Sequence, residues 1–192
     1  MISKEEERFN GQVSIATQNI DLENLKAMSE ITDNFPSGKA TFTIDASAPM
    51  TTWASMTRTA TGTTSLRING GSTRGFGIAR LLRPETSEQF FALSIGELET
   101  ETFDKLELEG SFTDGIISIK NAVIDKVAGK VAFTGVAPFQ SGGIALTATA
   151  SPNQQKDGAS ERRFFVGGTW NKPFATPLLV PSATKFLPKR PR

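Results

Sequence analysis

The sequence predicts a mainly β protein: a curved antiparallel sheet, either an open trough or a sandwich-like pair of layers, carrying two or three short helices. Three observations lead there. Apolar and polar residues alternate with a period of two in at least seven runs, the pattern of half-buried strands. Gly, Asp or Asn punctuates most of those runs, as turns between antiparallel neighbours require. Helical spacing is confined to short stretches that stop at a glycine or a proline.

In chain order, "MISKEEERFN" alternates charge with no apolar stretch behind it, so it reads as neither a signal peptide nor a membrane span. Two expectations follow: a soluble chain that stays where it is made, or the C-terminal piece of a longer protein with its targeting segment upstream. "DLENLKAMSEI" reads as a helix, with Asp21 as N-cap and Leu22, Leu25 and Met28 three apart. "GKATFTIDA" puts Ala40, Phe42, Ile44 and Ala46 on one face of a strand and Lys39, Thr41, Thr43 and Asp45 on the other. The small alanines leave room beside the larger side chains. "TTWASMTRTATG" offers a second helix ending at Gly62, and "TTSLRING" is a strand with Leu66 and Ile68 on its apolar face. "GFGIARLLRP" supplies one or two helical turns before Pro84.

Strands then follow closely. "DKLELEGSF" sets Leu106, Leu108 and Phe112 on one side, and "TDG" at 113–115 reads as a tight hairpin turn into "GIISIKNAVI". Next come "GKVAFTGV" (Val131, Phe133), "GIALTATA" (Ile144, Leu146, Ala148) and "RRFFVGGTW", with the polar stretch "SPNQQKDGASE" as an exposed loop before the last. From Pro173 the pattern dissolves, because prolines at 173, 177, 181, 188 and 191 forbid a regular ladder or helix. The expected organisation is one domain over 1–178 and a Pro/basic-rich disordered tail over 179–192. Lys185, Lys189, Arg190 and Arg192 give that tail a weak attraction for an anionic membrane, at best about 1 kcal/mol per charge.

Composition points away from several function classes. With neither His nor Cys among 192 residues, the usual neutral-pH base, thiol nucleophiles and most zinc, copper and iron sites are missing. A net charge of +1 does not advertise a nucleic-acid surface. Gly75, Gly77 and Arg80 imitate a dinucleotide loop without its third glycine, and "SATK" at 182–185 has none of the companion motifs of a Ser-x-x-Lys nucleophile. Glu99/Glu101 and Glu107/Glu109 read as solubilising charge on a wet strand face. The expectation is a protein without catalysis, metal or cofactor.

Three phrases, in order, resemble one family. "GTTSLRINGGSTRGFGIARLLR" (62–83) is similar to its alternating strand, Asn/Asp-Gly turn, "Gly-Ile-Asp-Leu" and short helix. "TFDKLELEGSFTDGIISIKNAVI" (102–124) resembles its "Thr-x-Phe-x-x-Leu" hairpin, and "VGGTWNKP" (166–173) its closing "Gly-Thr-Trp-x-x-Pro". Together they resemble the C-terminal region of AsmA-like proteins of the Gram-negative envelope, over roughly residues 10–178. The chain departs from the family at Gly75-Phe76-Gly77-Ile78-Ala79, where an Asp often follows Gly-Ile, and no segment of these 192 residues resembles the family's N-terminal anchor.

The resemblance implies a long curved sheet whose greasy concave face carries phospholipid across the periplasm toward the outer membrane. Localisation would be the periplasmic face of the envelope, within a longer anchored protein. It also implies that Gly168, Thr169, Trp170 and Pro173 close the domain, with Trp170 capping the last strand and Pro173 ending the ladder. Phe42, Ile44, Leu66, Ile68, Leu106, Leu108, Phe112, Val131, Phe133, Ile144 and Leu146 are then the candidate lipid-facing residues, with acyl chains as ligand. Each acyl methylene taken from water onto such a face contributes about 0.8 kcal/mol, so no specific pocket is needed. The same alternation suits a dry core. The second expectation is therefore a structural or protein-binding β module: a terminal cap, or an outer-membrane protein assembly factor docking on an envelope partner.

Overall fold

The computed structural model describes residues 10–24, 36–49, 52, 58–83, 89–96, 99–138, 141–153 and 161–178. They form one open antiparallel sheet of ten strands. These are β1 (Asn10–Asp21), β2 (Ser37–Pro49), β3 (Thr61–Arg74), β4 (Phe91–Ala92), β5 (Thr100–Thr113), β6 (Ile116–Lys126), β7 (Gly129–Pro138), β8 (Gly143–Pro152), β9 (Arg162–Thr169) and β10 (Lys172–Pro177). A one-turn helix, α1 (Ala79–Leu82), lies between β3 and β4. In space the order is β1-β2-β3-β5-β6-β7-β8-β9-β10-β4. Only β4 is out of sequence, standing at the far edge beside β10. Helical residues also occur at 22–24 and 58–59. The Asp21 carboxylate accepts the Glu23 N–H at 3.0 Å, so Asp21 is the expected N-cap. The bulk of the two other expected helices (25–31 and 53–57), residues 154–160 of the exposed loop and the tail from 179, with its four basic residues, lie outside the described residues; Gly62, expected to end the second helix, instead lies in β3.

The expected alternation sets the register. Phe42, Leu66, Leu108, Ala122, Phe133, Ala148 and Phe164 stand side by side across seven strands. A second row runs Ile20, Ala40, Ile68, Leu106, Ile124, Val131, Ala150, Arg162. A third runs Ile15, Ile44, Thr64, Gly110, Ile119, Gly135, Leu146, Val166, Ala175, Phe91. All three lie on one face. The opposite face carries Arg67, Lys105 and Glu107, joined by ion pairs of 2.7 and 2.9 Å to the Glu107 carboxylate.

Bulges keep these rows on one face over long strands. At Gly70 (φ 62) the chain takes a left-handed conformation that a glycine adopts without steric cost. Burial then switches from Leu66 and Ile68 to Thr73, and on β5 from Leu106 and Leu108 to Phe103. Asn69–Gly70, expected as a turn, is therefore a bulge inside a 14-residue strand. An irregularity at residues 120–121 moves the buried positions of β6 from Ile119 to Ala122. A third, after Thr17 with Asn19 at φ 54, does the same in β1. Bulges bend a strand and increase its twist, so long strands coil rather than stay flat. The hairpin turn at 113–115 stands as expected: Asp114 and Gly115 both have positive φ (50 and 74), as a type I′ turn requires.

Two expectations about the end of the domain are corrected. Pro173 does not end the ladder. It lies within β10 opposite Gly168, and its carbonyl accepts the Leu93 N–H at 2.9 Å, so β4 is added beyond it. A proline is tolerated there because only two residues of β4 pair with this strand. Trp170 does not cap the last strand by burial. It sits in the β9–β10 turn with half of its surface exposed (51%), held by its backbone N–H to the Gly142 carbonyl at 3.0 Å. Gly168 and Thr169 close that turn instead. A Cβ on Gly168 would lie 2.5 Å from the Lys172 carbonyl oxygen, and the Thr169 hydroxyl accepts the Lys172 N–H.

Candidate functional site

The eleven candidate residues all lie on the same face, but that face has two different halves. Over β6–β9 it is a dry core. Val131 is fully buried, and Phe133, Ile144 and Leu146 are buried with Ala148, Ala150, Phe164 and Val166. Residues 75–83 and 89–96 cover the flank of the face where β7 and β9 begin. Ile78, Leu81, Leu82 and Leu93 are buried there, with a Leu82 methyl 3.0 Å from where a Cβ on Gly129 would stand. Phe91 meets Phe164 edge-on, with ring centroids 5.9 Å apart.

Polar contacts hold this cover down. Glu101 accepts the Ala79 N–H at 3.0 Å and the Lys126 ammonium at 2.6 Å. Arg162 donates to the Leu82 and Arg83 carbonyls at 2.7 and 2.5 Å, satisfying the C-terminal end of α1. The expectation that Glu101 lies on a wet face is therefore corrected. Beyond the Gly70 bulge the two faces of β5 exchange roles, and Glu101 is a half-buried clamp. Gly75 and Gly77 belong to the same cover. Gly75 donates to Glu99, Gly77 donates to Leu93, and a Cβ on Gly77 would press on Ile95 at 2.7 Å.

Over β1–β3 and β5 the face is open only in part: Ala40, Ile68, Leu22 and Phe103 are buried at one end, while the positions of Phe42, Ile44, Val13 and Ile15 reach solvent. Leu66, Leu106 and Leu108 are partly buried and pack against the core's margin. Phe42, Ile44 and Phe112 are half-buried farther out, and Ile68 alone of this half's candidates is fully buried. Beyond Ile44 stand two residues that the sequence reading did not single out, Val13 and Ile15, 54% and 43% exposed on the outermost strand. They lie opposite Ala46 and Ile44 and continue the apolar rows to the edge. Their short alternation, Val13-Ser14-Ile15-Ala16-Thr17, was the available signal. At the same end of these strands a shallow groove is lined mainly from the opposite, polar face, by Gln12, Ser14, Asp45, Ser47, Thr61 and Thr63.

This arrangement can hold something apolar without a pocket. Its polar groups are remote: Ser14 bonds Asp45 at 2.6 Å and Thr43 meets Ser65 at 2.7 Å, both on the opposite face. The Glu107 carboxyl on that face is held below the usual carboxylate range, by the Lys105 hydrogen bond first and then by the charges of Lys105 and Arg67. Near the β4 edge, the opposite face also gathers Phe90 and Phe165 around Phe174, with centroids 4.8 and 6.1 Å away. Among the described residues no group of three or more His, Cys, Asp or Glu could hold a metal ion, and no helix is long and apolar enough to cross a membrane. No family model, no curated protein and no solved structure matches the chain.

Proposed function

We propose that the chain is a non-enzymatic module of the cell envelope that shields or carries phospholipid acyl chains on the open half of its apolar face. The observation that carries this reading is the division of one continuous face into a sealed half and an open half. Val13, Ile15, Phe42 and Ile44 remain solvent-accessible on the open half although they share rows with a dry core. Monomeric soluble proteins rarely leave a contiguous apolar patch without a use. Lining a face with Val, Ile, Phe and Leu offers an acyl chain about 0.8 kcal/mol per methylene buried. The envelope setting rests on the resemblance of 62–83, 102–124 and 166–173 to AsmA-like C-terminal regions.

Lipid extraction and native mass spectrometry of the purified chain test it: co-purifying phospholipid supports the reading, and a lipid-free chain that gains none from vesicles refutes it. A second reading, a capping or protein-binding β module, is favoured by the cover that residues 75–83 and 89–96 form, which seals one flank as a terminus of a trough would be sealed. In that case the open half meets a protein surface, and the chain stays free of lipid.

A further inference from the structure

The two edges of the sheet are built differently. At one edge β10 is shielded by β4, by the Leu93-to-Pro173 hydrogen bond, and by Pro173 and Pro177, which have no N–H to offer. Short strands and prolines are the usual means of blunting an edge. The other edge is β1, twelve residues long, paired with β2 on one side and with no strand on the other among the described residues. Its first eight residues, Asn10 to Thr17, stay in uninterrupted register with β2 and contain no proline and no charge. Nothing there repels an added strand, and the exposed Val13 and Ile15 present an apolar row for it to continue.

We propose that β1 pairs antiparallel with β1 of a second copy of this chain, joining two ten-stranded sheets into one. The absence of charge along Asn10–Thr17 favours a self-match, because a charged edge set against its own copy would place like charges opposite each other. Antiparallel pairing about a two-fold axis normal to the sheet puts directly opposed residues on the same side. Val13 and Ile15 of both copies therefore meet on the apolar face, and the two open halves become continuous. The dimer uses both β1 edges, so growth beyond two copies would have to proceed at the β4 edges, which the prolines and the short strand obstruct, and the assembly closes as a dimer. This inference rests on the edges alone and not on lipid handling.

Sedimentation velocity of the whole chain tests it, together with single cysteines introduced at Ser14, Ile15 or Ala16 into a chain that has none of its own. Dimers at micromolar concentration are expected, with Ile15→Lys shifting them to monomer. Oxidation should yield disulfide-linked dimers most efficiently at the β1 position nearest the two-fold axis, and none from a control cysteine at Thr134 in the middle of the sheet. Should Ile15→Lys fail to fold, the cysteine series decides. A wild-type chain that stays monomeric, or a dimer whose β1 cysteines do not cross-link, overturns the proposal. Neither readout involves lipid, so this proposal and the lipid reading fail separately.

Discussion

Glutamate substituted at Phe133 and at Phe42 probes two points of one cross-strand row, and the structure assigns them opposite outcomes. Phe133 is 5% exposed between Ala122 and Ala148, both buried, so a carboxylate there meets neither water nor a donor. Losing the ring costs about 3–5 kcal/mol. Keeping the acid neutral at pH 7, about 2.7 units above the ordinary glutamate pKa, costs about 3.7 kcal/mol at about 1.4 kcal/mol per unit. The total, about 7–9 kcal/mol, is comparable to the whole stability of a typical domain, about 5–15 kcal/mol. Phe133→Glu should therefore lose cooperative unfolding. Phe42 is half-buried on the open half, and a carboxylate there reaches water. Phe42→Glu should cost roughly 1–2 kcal/mol of apolar burial, lowering Tm by about 2–8 °C for a chain of this length. Thermal denaturation followed by circular dichroism measures both, and retention of a fluorescent phospholipid by the folded Phe42 variant should fall. Equal stability losses at the two positions would refute the division into sealed and open halves. Undiminished retention would remove Phe42 from the lipid surface.

Trp170→Ala should change stability by no more than about 0.5 kcal/mol, since a half-exposed indole is tied in through its backbone; a Tm drop above several degrees would contradict that. Glu101→Gln should destabilise by about 3 kcal/mol, because it leaves the largely buried Lys126 ammonium without its counter-charge, and chemical denaturation measures it. Gly71→Ala should cost at least about 2 kcal/mol, with its Cβ placed against the Ser37 carbonyl oxygen and 2.6 Å from the Phe103 ring. Glu107, with its folded pKa lowered, adds stability present above the ordinary carboxylate pKa of 4.5 and lost as pH falls through the lower folded value. Glu107→Gln should flatten that acid-side slope, and an unchanged pH profile would show that the pairing contributes nothing.

Period-two alternation made the strands legible because it is a local property, and the side on which a residue lies follows from it. Phe42, Leu66, Leu108 and Phe133 fall in one row for that reason. Where the alternation slips, local reading fails. Asn69–Gly70 has the composition of a hairpin turn, yet Phe103 and Leu106 become buried from opposite parities because the chain bulges there instead of turning. Glu101 was misread through the same slip. β1 was missed because its apolar residues are few and exposed, and β4 because two residues carry no period. Whether the apolar face is wet or dry depends on residues 75–83 and 89–96 packing on strands that lie far away in the sequence. No window on the sequence contains that contact. Trp170 illustrates the converse: a large aromatic beside a proline suggests closure, while the contacts that close the turn belong to Gly168 and Thr169.

Photo-crosslinking tests the open half most directly. A benzoylphenylalanine placed singly at Phe42, Leu66 or Leu108 reports contact on the open half. At Phe164 it probes the sealed half, and at Thr43 the polar face. After incubation with phospholipid vesicles and illumination, mass spectrometry should find lipid adducts at the first three positions and none at Phe164 or Thr43. Adducts at Thr43 as abundant as those at Phe42, or none at any of the three, would contradict acyl-chain binding on the open half of this face.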